Sequence, residues 1–126
     1  MRVLIVEDSD SIVRMIEALV APRGYEVRSA ESGAKGLDET ITWRPDVVLA
    51  DVNLPGSFDG IELLRRVRAT AETRDTPVIM ISARSDDELK RLAHEAGATA
   101  FFDKPFSPLA LLKEIEGLFR RSGQFG

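Results

Sequence analysis

The feature that most constrains the fold is a strict alternation of short apolar runs with longer segments of helical spacing. The apolar runs, typical of strands, are residues 3–6, 25–29, 47–50, 78–81 and 100–102. The helical segments carry their apolar residues at Ile12, Met15, Ile16 and Leu19, at Ala34, Leu37 and Ile41, at Ile61, Leu64 and Val67, at Leu89, Leu92, Ala93 and Ala96, and at Leu111, Ile115 and Leu118. The second helix is expected over residues 32–42, with Ser32 as its N-cap. Such alternation predicts an α/β fold, a parallel sheet with helices on both faces.

The strand order follows from the burial that each run predicts. The first, third and fourth runs are apolar throughout, as strands covered on both faces must be, whereas residues 25–28 alternate apolar and charged side chains. The second strand is therefore expected at an edge. With right-handed crossovers and short connections, this predicts a doubly wound, five-stranded, flavodoxin-like (βα)5 sheet of strand order 2-1-3-4-5. Ligands of such sheets bind beyond the carboxyl ends of the strands, where strands 1 and 3 are neighbours.

Composition excludes several classes of function. A chain of 126 residues predicts one domain, over residues 1–120, with a tail at residues 121–126. The formal charge of -4 argues against direct binding of nucleic acid. No apolar stretch approaches the roughly 18 residues of a membrane span, so we expect a cytoplasmic protein without membrane insertion. Without cysteine and with a single histidine, a bound metal would need oxygen ligands.

Polar side chains follow four of the five predicted strands. Glu7 and Asp8 follow the first strand, Asp51 the third, Ser82 the fourth, and residues 103–105 (Asp-Lys-Pro) the fifth. Because the carboxyl ends of parallel strands meet at one edge of a sheet, these groups are expected to converge. Three carboxylates in one crevice repel one another unless a cation compensates them, so the cluster predicts a metal site.

Taken singly, the same residues also have structural interpretations. Asp8 or Ser9 could cap the first helix, Ser82 or Ser85 could cap the fourth, and Lys104 could be a solvated loop lysine. Their convergence favours a site over these separate roles.

The residue types at this edge indicate phosphoryl chemistry. Oxygen ligands suit Mg²⁺, Mn²⁺ or Ca²⁺, and Mg²⁺ is expected because few protein ligands leave positions for water and a phosphate oxygen. Lys104 could neutralise an anion that the metal also holds, and the Ser82 hydroxyl could donate to a further oxygen. Such groups around a carboxylate predict phosphoryl transfer. Asp51, at the end of the central strand, is the expected nucleophile.

Four motifs occur in order along the chain. They are VLIVED at residues 3–8 with Arg14, VLADVNLP at residues 48–55 with Asp59 and Gly60, MISA at residues 80–83, and KPF at residues 104–106. Together they resemble the receiver domain of two-component response regulators over almost the whole chain. The resemblance implies that Asp51 accepts a phosphoryl group from a histidine kinase or a histidine phosphotransfer protein. It also implies that Ser82 and Lys104 contact the phosphoryl oxygens.

The resemblance further implies a metal site and a backbone feature. Glu7, Asp8, Asp51 and the backbone carbonyl of Asn53 would hold Mg²⁺, with Mn²⁺ as a possible substitute. The peptide bond between Lys104 and the following proline would be cis, which an X-Pro bond permits at low cost.

Several positions depart from the usual receiver pattern or call for comment. Residues 55–60 contain one residue more than usual between the proline and the glycine, so this loop is expected to be reshaped. Phe101 stands where tyrosine is commoner and can report a switch only through packing. Arg84 and Asn53 are expected to flank the approach to the phosphoryl group. His94 is expected on an exposed helix face.

The expected function is a stand-alone receiver domain that signals through altered partner binding, with few residues after the fifth helix. Ser82 and Phe101 would switch the face formed by the fourth helix, the fifth strand and the fifth helix, where a downstream protein would bind. The chain would assist its own phosphorylation and dephosphorylation without being an enzyme for a separate substrate.

Three other functions compete with this expectation. The main alternative is a receiver that is never phosphorylated and acts only as a protein interaction module. A haloacid-dehalogenase-like phosphatase would need an acid at Asn53. A flavin mononucleotide carrier would need a phosphate loop where Glu7 and Asp8 repel phosphate.

Overall fold

The computed structural model describes residues 1–84 and 86–123 as an alternation of five strands and five α-helices. The elements are β1 (Arg2–Val6), α1 (Asp10–Val20), β2 (Glu26–Ala30), α2 (Gly33–Trp43), β3 (Val47–Asp51), α3 (Gly60–Ala69), β4 (Val78–Ser82), α4 (Asp87–Glu95), β5 (Ala100–Asp103) and α5 (Pro108–Gly123). A short 3₁₀ helix, Ala21–Arg23, follows α1. Each strand coincides with one of the predicted apolar runs to within one residue at either end.

The sheet has the predicted order, β2-β1-β3-β4-β5, and every neighbouring pair is parallel. This confirms the doubly wound α/β fold and the edge position of β2. Strands β3, β4 and β5 each extend one residue beyond the apolar run, and that last residue is polar. Asp51 pairs in register with Ile81, and Ser82 pairs with Asp103. Pairing therefore continues into the polar residues and fixes their positions relative to one another.

Two hydrophobic cores, one on each face of the sheet, hold the helices in place. Along β1, Val3 and Ile5 face one core while Leu4 and Val6 face the other, as the two-residue period of a strand requires. The first core contains the apolar faces of α1 and α5, and the second contains those of α2, α3 and α4. Strands β1, β3 and β4 are thus covered on both faces, which explains their continuous apolar sequence.

Element boundaries differ slightly from the sequence prediction. The second helix begins and ends one residue later than predicted, and Ser32 is its N-cap: the Ser32 hydroxyl accepts the Lys35 N–H at 3.2 Å. The predicted domain boundary at residue 120 falls inside α5, and residues 124–126 of the predicted tail lie outside the described residues. Among the residues that the structure describes, no helix combines the length and apolarity needed to cross a membrane.

The connection from β3 to α3, which carries the extra residue, lies against the start of α2. A Cβ on Gly33 would stand 2.8 Å from the Phe58 ring, so the glycine makes room for this contact. The guanidinium of Arg66 lies over the Phe58 ring, 4.2 Å from its centroid. At the end of the loop, a Cβ on Gly60 would stand 2.1 Å from the Asp51 carbonyl oxygen. The loop is therefore docked tightly beside the end of β3.

Candidate functional site

An ammonium group joins two buried carboxylates at the carboxyl end of the sheet. Lys104 Nζ donates to Glu7 Oε1 and to Asp51 Oδ2, each at 2.8 Å. The side chains of Glu7 and Asp51 are 4% and 7% exposed, and that of Lys104 is 18% exposed. The three residues follow or end β1, β3 and β5, so the parallel sheet brings together groups up to 97 residues apart in the chain. The backbone N–H of Lys104 donates to the Ser82 carbonyl at 2.7 Å, which anchors the start of the loop after β5 to the end of β4.

The cluster can also hold a hard cation. Glu7, Asp8 and Asp51 each offer one carboxylate oxygen, and these oxygens lie within 4.8 Å of one another. Asp8 is exposed, which leaves this side of the cluster open to water. Three carboxylates face one ammonium, and oxygen donors of this kind suit Mg²⁺. The donor set therefore fits the metal that the sequence predicts.

Backbone groups fix the two buried carboxylates. The Ser9 N–H donates to Glu7 Oε2 at 3.1 Å, and the Asn53 N–H donates to Asp51 Oδ1 at 3.0 Å. Each carboxylate thus has one oxygen held by the backbone and the other by Lys104. This arrangement fixes the carboxylate orientation before any ligand binds.

Burial, hydrogen bonds and neighbouring charges shift the pKa values of Glu7 and Lys104. Burial raises the pKa of Glu7, and the nearby Asp51 charge adds to this, although hydrogen bonds from Lys104 and from the Ser9 N–H act in the opposite sense. Burial alone would lower the pKa of Lys104, but its hydrogen bonds to Asp51 and Glu7 and their charges outweigh burial, so its pKa is raised. Lys104 therefore stays charged. The remaining negative charge of the carboxylates favours binding of a further cation.

Ser82 lies beside this cluster and holds the start of the next loop. Its side chain is fully buried, and its Oγ accepts the Arg84 N–H at 3.0 Å. The interpretation of Ser82 or Ser85 as the cap of α4 is wrong for Ser82, because Asp86 is the N-cap and accepts the Leu89 N–H at 2.8 Å. Ser85 itself lies outside the described residues. At α1 the N-cap position is Ser9, without a capping bond from its side chain.

The Arg84 side chain is exposed and points toward the start of α4. Its Nη2 lies 3.1 Å from Asp86 Oδ2. Arg84 and Asn53 both line a cavity of about 260 Å³ between the start of α3 and α4. Their expected position beside the approach to a phosphoryl group stays a prediction. The structure therefore brings Glu7, Asp8, Asp51, Ser82 and Lys104 together and leaves the Arg84 guanidinium paired with another acid.

Comparison with known proteins agrees with this geometry. The family model of the response regulator receiver domain matches residues 3–116 of this chain. The chain belongs to the response regulator receiver family. This receiver domain is 40% identical over 122 residues to the regulatory protein VanRB of Enterococcus faecalis, covering 97% of this chain and 54% of that protein. It is 40% identical over 124 residues to the transcriptional regulatory protein CseB of Streptomyces coelicolor, covering 98% and 51%. It thus spans about half the length of these relatives.

Solved structures show the same fold. The chemotaxis protein CheY4 of Vibrio cholerae superposes with a TM-score of 0.85 at 35% identity, over 93% of this receiver domain and 97% of that chain. The receiver domain of the Francisella response regulator 1452 gives a TM-score of 0.88 at 30% identity, over 96% and 98%. The peptide bond between Lys104 and Pro105 is cis in this receiver domain, as the resemblance implies.

Phe101 lies half-buried on β5 of the receiver domain. Its ring packs against the core shared by α2, α3 and α4. Lys90 Nζ lies 6.0 Å from the ring centroid and 3.4 Å from Asp103 Oδ2, so it links α4 to β5. His94 is exposed on α4, as predicted, and Arg14 is exposed on α1.

Sequence reasoning missed two contacts of this site. The first is the bond from Lys104 to Glu7, since Lys104 was assigned only to an incoming anion. The second is the pairing of Arg84 with Asp86. An acid three residues before Leu89 is an N-cap signal, and it could have identified Asp86 as the start of α4.

Proposed function

We propose that Asp51 accepts a phosphoryl group from a phosphohistidine of a histidine kinase or phosphotransfer protein. The contact between Asp51 Oδ2 and Lys104 Nζ, beside the acids Glu7 and Asp8, carries this proposal. A carboxylate oxygen of Asp51 forms a bond to phosphorus while the bond from phosphorus to the histidine nitrogen breaks. The imidazole leaves with the electron pair of that bond, and an acyl phosphate remains on Asp51.

The neighbouring side chains prepare Asp51 for this step. Lys104 already contacts Asp51 and can move its ammonium from the carboxylates to a phosphoryl oxygen, while the Ser82 hydroxyl can donate to another. Mg²⁺, or Mn²⁺ in its place, would be held by Glu7, Asp8, Asp51 and the Asn53 carbonyl, and supplies positive charge beside the phosphoryl oxygens. The chain would thus be a phosphoacceptor that assists its own phosphorylation and dephosphorylation.

The same site governs loss of the phosphoryl group. A water oxygen bonds to phosphorus as the bond from phosphorus to Asp51 breaks, the carboxylate is regenerated, and inorganic phosphate leaves with the protons of the water shared with solvent. Asn53 can orient that water through its amide. Arg84 can fold over the phosphoryl group, pair with its oxygens and block the approach.

Phosphorylation would be read out on the surface formed by α4, β5 and α5. Movement of Ser82 toward the phosphoryl group leaves space into which Phe101 can pack, and a phenyl ring has no hydroxyl to leave unsatisfied. The altered surface would bind a downstream protein. The domain and its phosphoryl donors would act in the cytoplasm.

Labelling with acetyl phosphate tests the phosphoacceptor. We expect one phosphoryl group per chain, mapped by mass spectrometry to Asp51, in the presence of Mg²⁺ and not in EDTA. Asp51→Asn should abolish labelling, whereas Asp103→Asn, another aspartate at a strand end, should retain it. Labelling elsewhere, or none at all, would overturn the proposal and favour a receiver that acts only as an interaction module.

Removal of the Arg84 side chain tests its role. We expect Arg84→Ala to shorten the phosphorylated lifetime by about fivefold, the effect of losing about 1 kcal/mol of an exposed ion pair. The Mg²⁺ affinity should change little. Autodephosphorylation rates measure this directly. An unchanged or longer lifetime would show that Arg84 does not shield the phosphoryl group.

A further inference from the structure

Asp86 contacts two different groups through its two carboxylate oxygens. Oδ1 accepts the Leu89 N–H at 2.8 Å and so caps α4, while Oδ2 lies 3.1 Å from Arg84 Nη2. The backbone hydrogen bond from Leu89 is the main cause of the lowered pKa of Asp86; desolvation acts against it, and the Arg84 guanidinium lowers the pKa further. Asp86 is therefore a fixed anion in contact with Arg84, a long cation that lines the same cavity as Asn53.

The other charged groups around the cavity are engaged elsewhere. Asp59 caps α3 by accepting the Glu62 N–H at 3.0 Å, Arg65 lies 3.7 Å from Glu62, and Glu88 lies 3.9 Å from Arg91. Within the described part of the chain, Arg84 forms its ion pair with Asp86. This pair draws the guanidinium to the start of α4.

The backbone of Arg84 is tied to the residue that phosphorylation would move. Its N–H donates to Ser82 Oγ at 3.0 Å, so the Ser82 hydroxyl holds Arg84 in the present arrangement. When that hydroxyl turns to a phosphoryl oxygen, the Arg84 N–H loses the geometry of this bond. The anchoring of Arg84 then depends on Asp86 alone among the contacts described above.

We propose that Asp86 is a positioning residue that competes with the phosphoryl group for the Arg84 guanidinium and thereby shortens the phosphorylated state. This inference rests on the proposed phosphorylation of Asp51. Arg84 paired with Asp86 leaves open the path of the water that attacks phosphorus, and Arg84 paired with the phosphoryl oxygens closes it. The balance between the Asp86 carboxylate and the phosphoryl group as partners of Arg84 sets how long the bond from phosphorus to Asp51 survives.

The size of the effect follows from the exposure of the pair. The side chains of Arg84 and Asp86 are 61% and 47% exposed, so the pair is weak and screened by salt. Removing the charge of Asp86 should therefore lengthen the phosphorylated lifetime by about two- to fivefold. High salt should reduce the difference.

The test compares Asp86→Asn with the wild type in the full chain, labelled with acetyl phosphate and Mg²⁺ and then freed of donor. Asparagine is also a good N-cap, so α4 keeps its start while the carboxylate charge is lost. We expect a longer lifetime in Asp86→Asn and no effect of Asp86→Asn when Arg84 is already alanine. Asp59→Asn, which changes another cap on the same cavity, should leave the lifetime unchanged.

A second readout needs no phosphoryl group. The side-chain Nε–H resonance of Arg84 should shift in unphosphorylated Asp86→Asn, because the ion pair is lost, and stay unchanged in Asp59→Asn. An unchanged or shorter lifetime in Asp86→Asn, or an equal change in the Arg84→Ala background, would overturn the competition while labelled Asp51 still supports the phosphoacceptor. Failure to label wild-type Asp51 would overturn both.

Discussion

The two ends of the sheet use charged side chains in opposite ways. At the carboxyl end, charged groups contact each other: Lys104 lies between Glu7 and Asp51, and with Asp8 the three carboxylates outnumber the single ammonium by two. At the amino end, Arg68 donates to backbone carbonyls, reaching the Gly97 oxygen at 2.8 Å from Nη2, and the carbonyl of Thr76 as well. Backbone carbonyls and the nearby Asp75 charge stabilise Arg68 without a ligand, whereas the excess carboxylates at the carboxyl end are neutralised only when another cation binds.

Acidic residues alone do not distinguish the ends. A cavity of about 340 Å³ at the amino end is lined by Asp46, Glu72 and Asp75. Asp46 Oδ2 accepts the Arg2 N–H at 2.7 Å, which joins it to the backbone of β1. Among the described residues, the three-acid group with converging oxygens is Glu7, Asp8 and Asp51. Convergence of the ligand atoms, rather than acidity, separates the candidate site from an ordinary surface.

The largest expected effect comes from removing the central cation of each end. Lys104→Met leaves two buried carboxylates without their cation and should lower the free energy of unfolding by about 3–5 kcal/mol in EDTA. Arg68→Met leaves carbonyl groups without a donor and should cost about 1–3 kcal/mol. Urea unfolding with and without Mg²⁺ measures both.

Mg²⁺ sharpens this contrast. It should restore part of the stability of Lys104→Met, because the unopposed carboxylates bind it, and should not reduce the cost of Arg68→Met. Equal rescue of both variants, or of neither, would contradict the assignment of the carboxyl-end charges to a ligand.

A smaller effect is expected from single acids at the two ends. Mg²⁺ at 100 times its dissociation constant should stabilise the wild type by about 2.7 kcal/mol. Asp8→Asn should weaken Mg²⁺ binding and reduce this gain, whereas Asp75→Asn should leave it intact. Thermal unfolding in a Mg²⁺ series gives the comparison, and equal gains in the two variants would count against a metal site at Asp8.

The smallest expected effect is the dependence of stability on pH through Glu7. Burial raises the pKa of Glu7, but the hydrogen bond from Lys104 partly offsets that rise. Between the ordinary value of 4.5 and the raised one, the folded chain binds more protons at Glu7 than the unfolded chain does. The contribution of Glu7 to the free energy of unfolding therefore falls as pH rises through that window. Without divalent cations, the stability of Glu7→Gln relative to the wild type should increase as pH rises above 4.5. A difference that stays flat or decreases would show that the pKa of Glu7 is not raised.

The sequence predicts the fold well because the fold depends on repeated features. Strands β1, β3 and β4 are apolar and almost wholly buried, whereas the alternating β2 buries one of its five residues, so this contrast determines the order of the sheet. The convergence of Asp51 and Lys104 follows from that order, since parallel strands end at one edge.

Individual side-chain contacts were harder to predict. The Lys104–Glu7 bond, the Arg84–Asp86 pair and the packing of Phe58 on Gly33 each depend on a few ångströms of loop geometry. A polar group is satisfied by any suitable partner within reach, and sequence spacing does not choose among them when they lie far apart in the chain.

The difference between the two ends can be measured in one NMR experiment, in which Mg²⁺ and then beryllofluoride, a phosphoryl mimic, are added to the full chain. Backbone resonances at residues 7–9, 51–54, 82–84 and 103–105 should shift at saturation, followed by those of α4, β5 and α5. Resonances at the amino end, residues 44–46 and 72–77, should stay in place. Shifts of equal size at both ends, or no shift at Asp51 and Lys104, would contradict a ligand site built at the carboxyl end of the sheet.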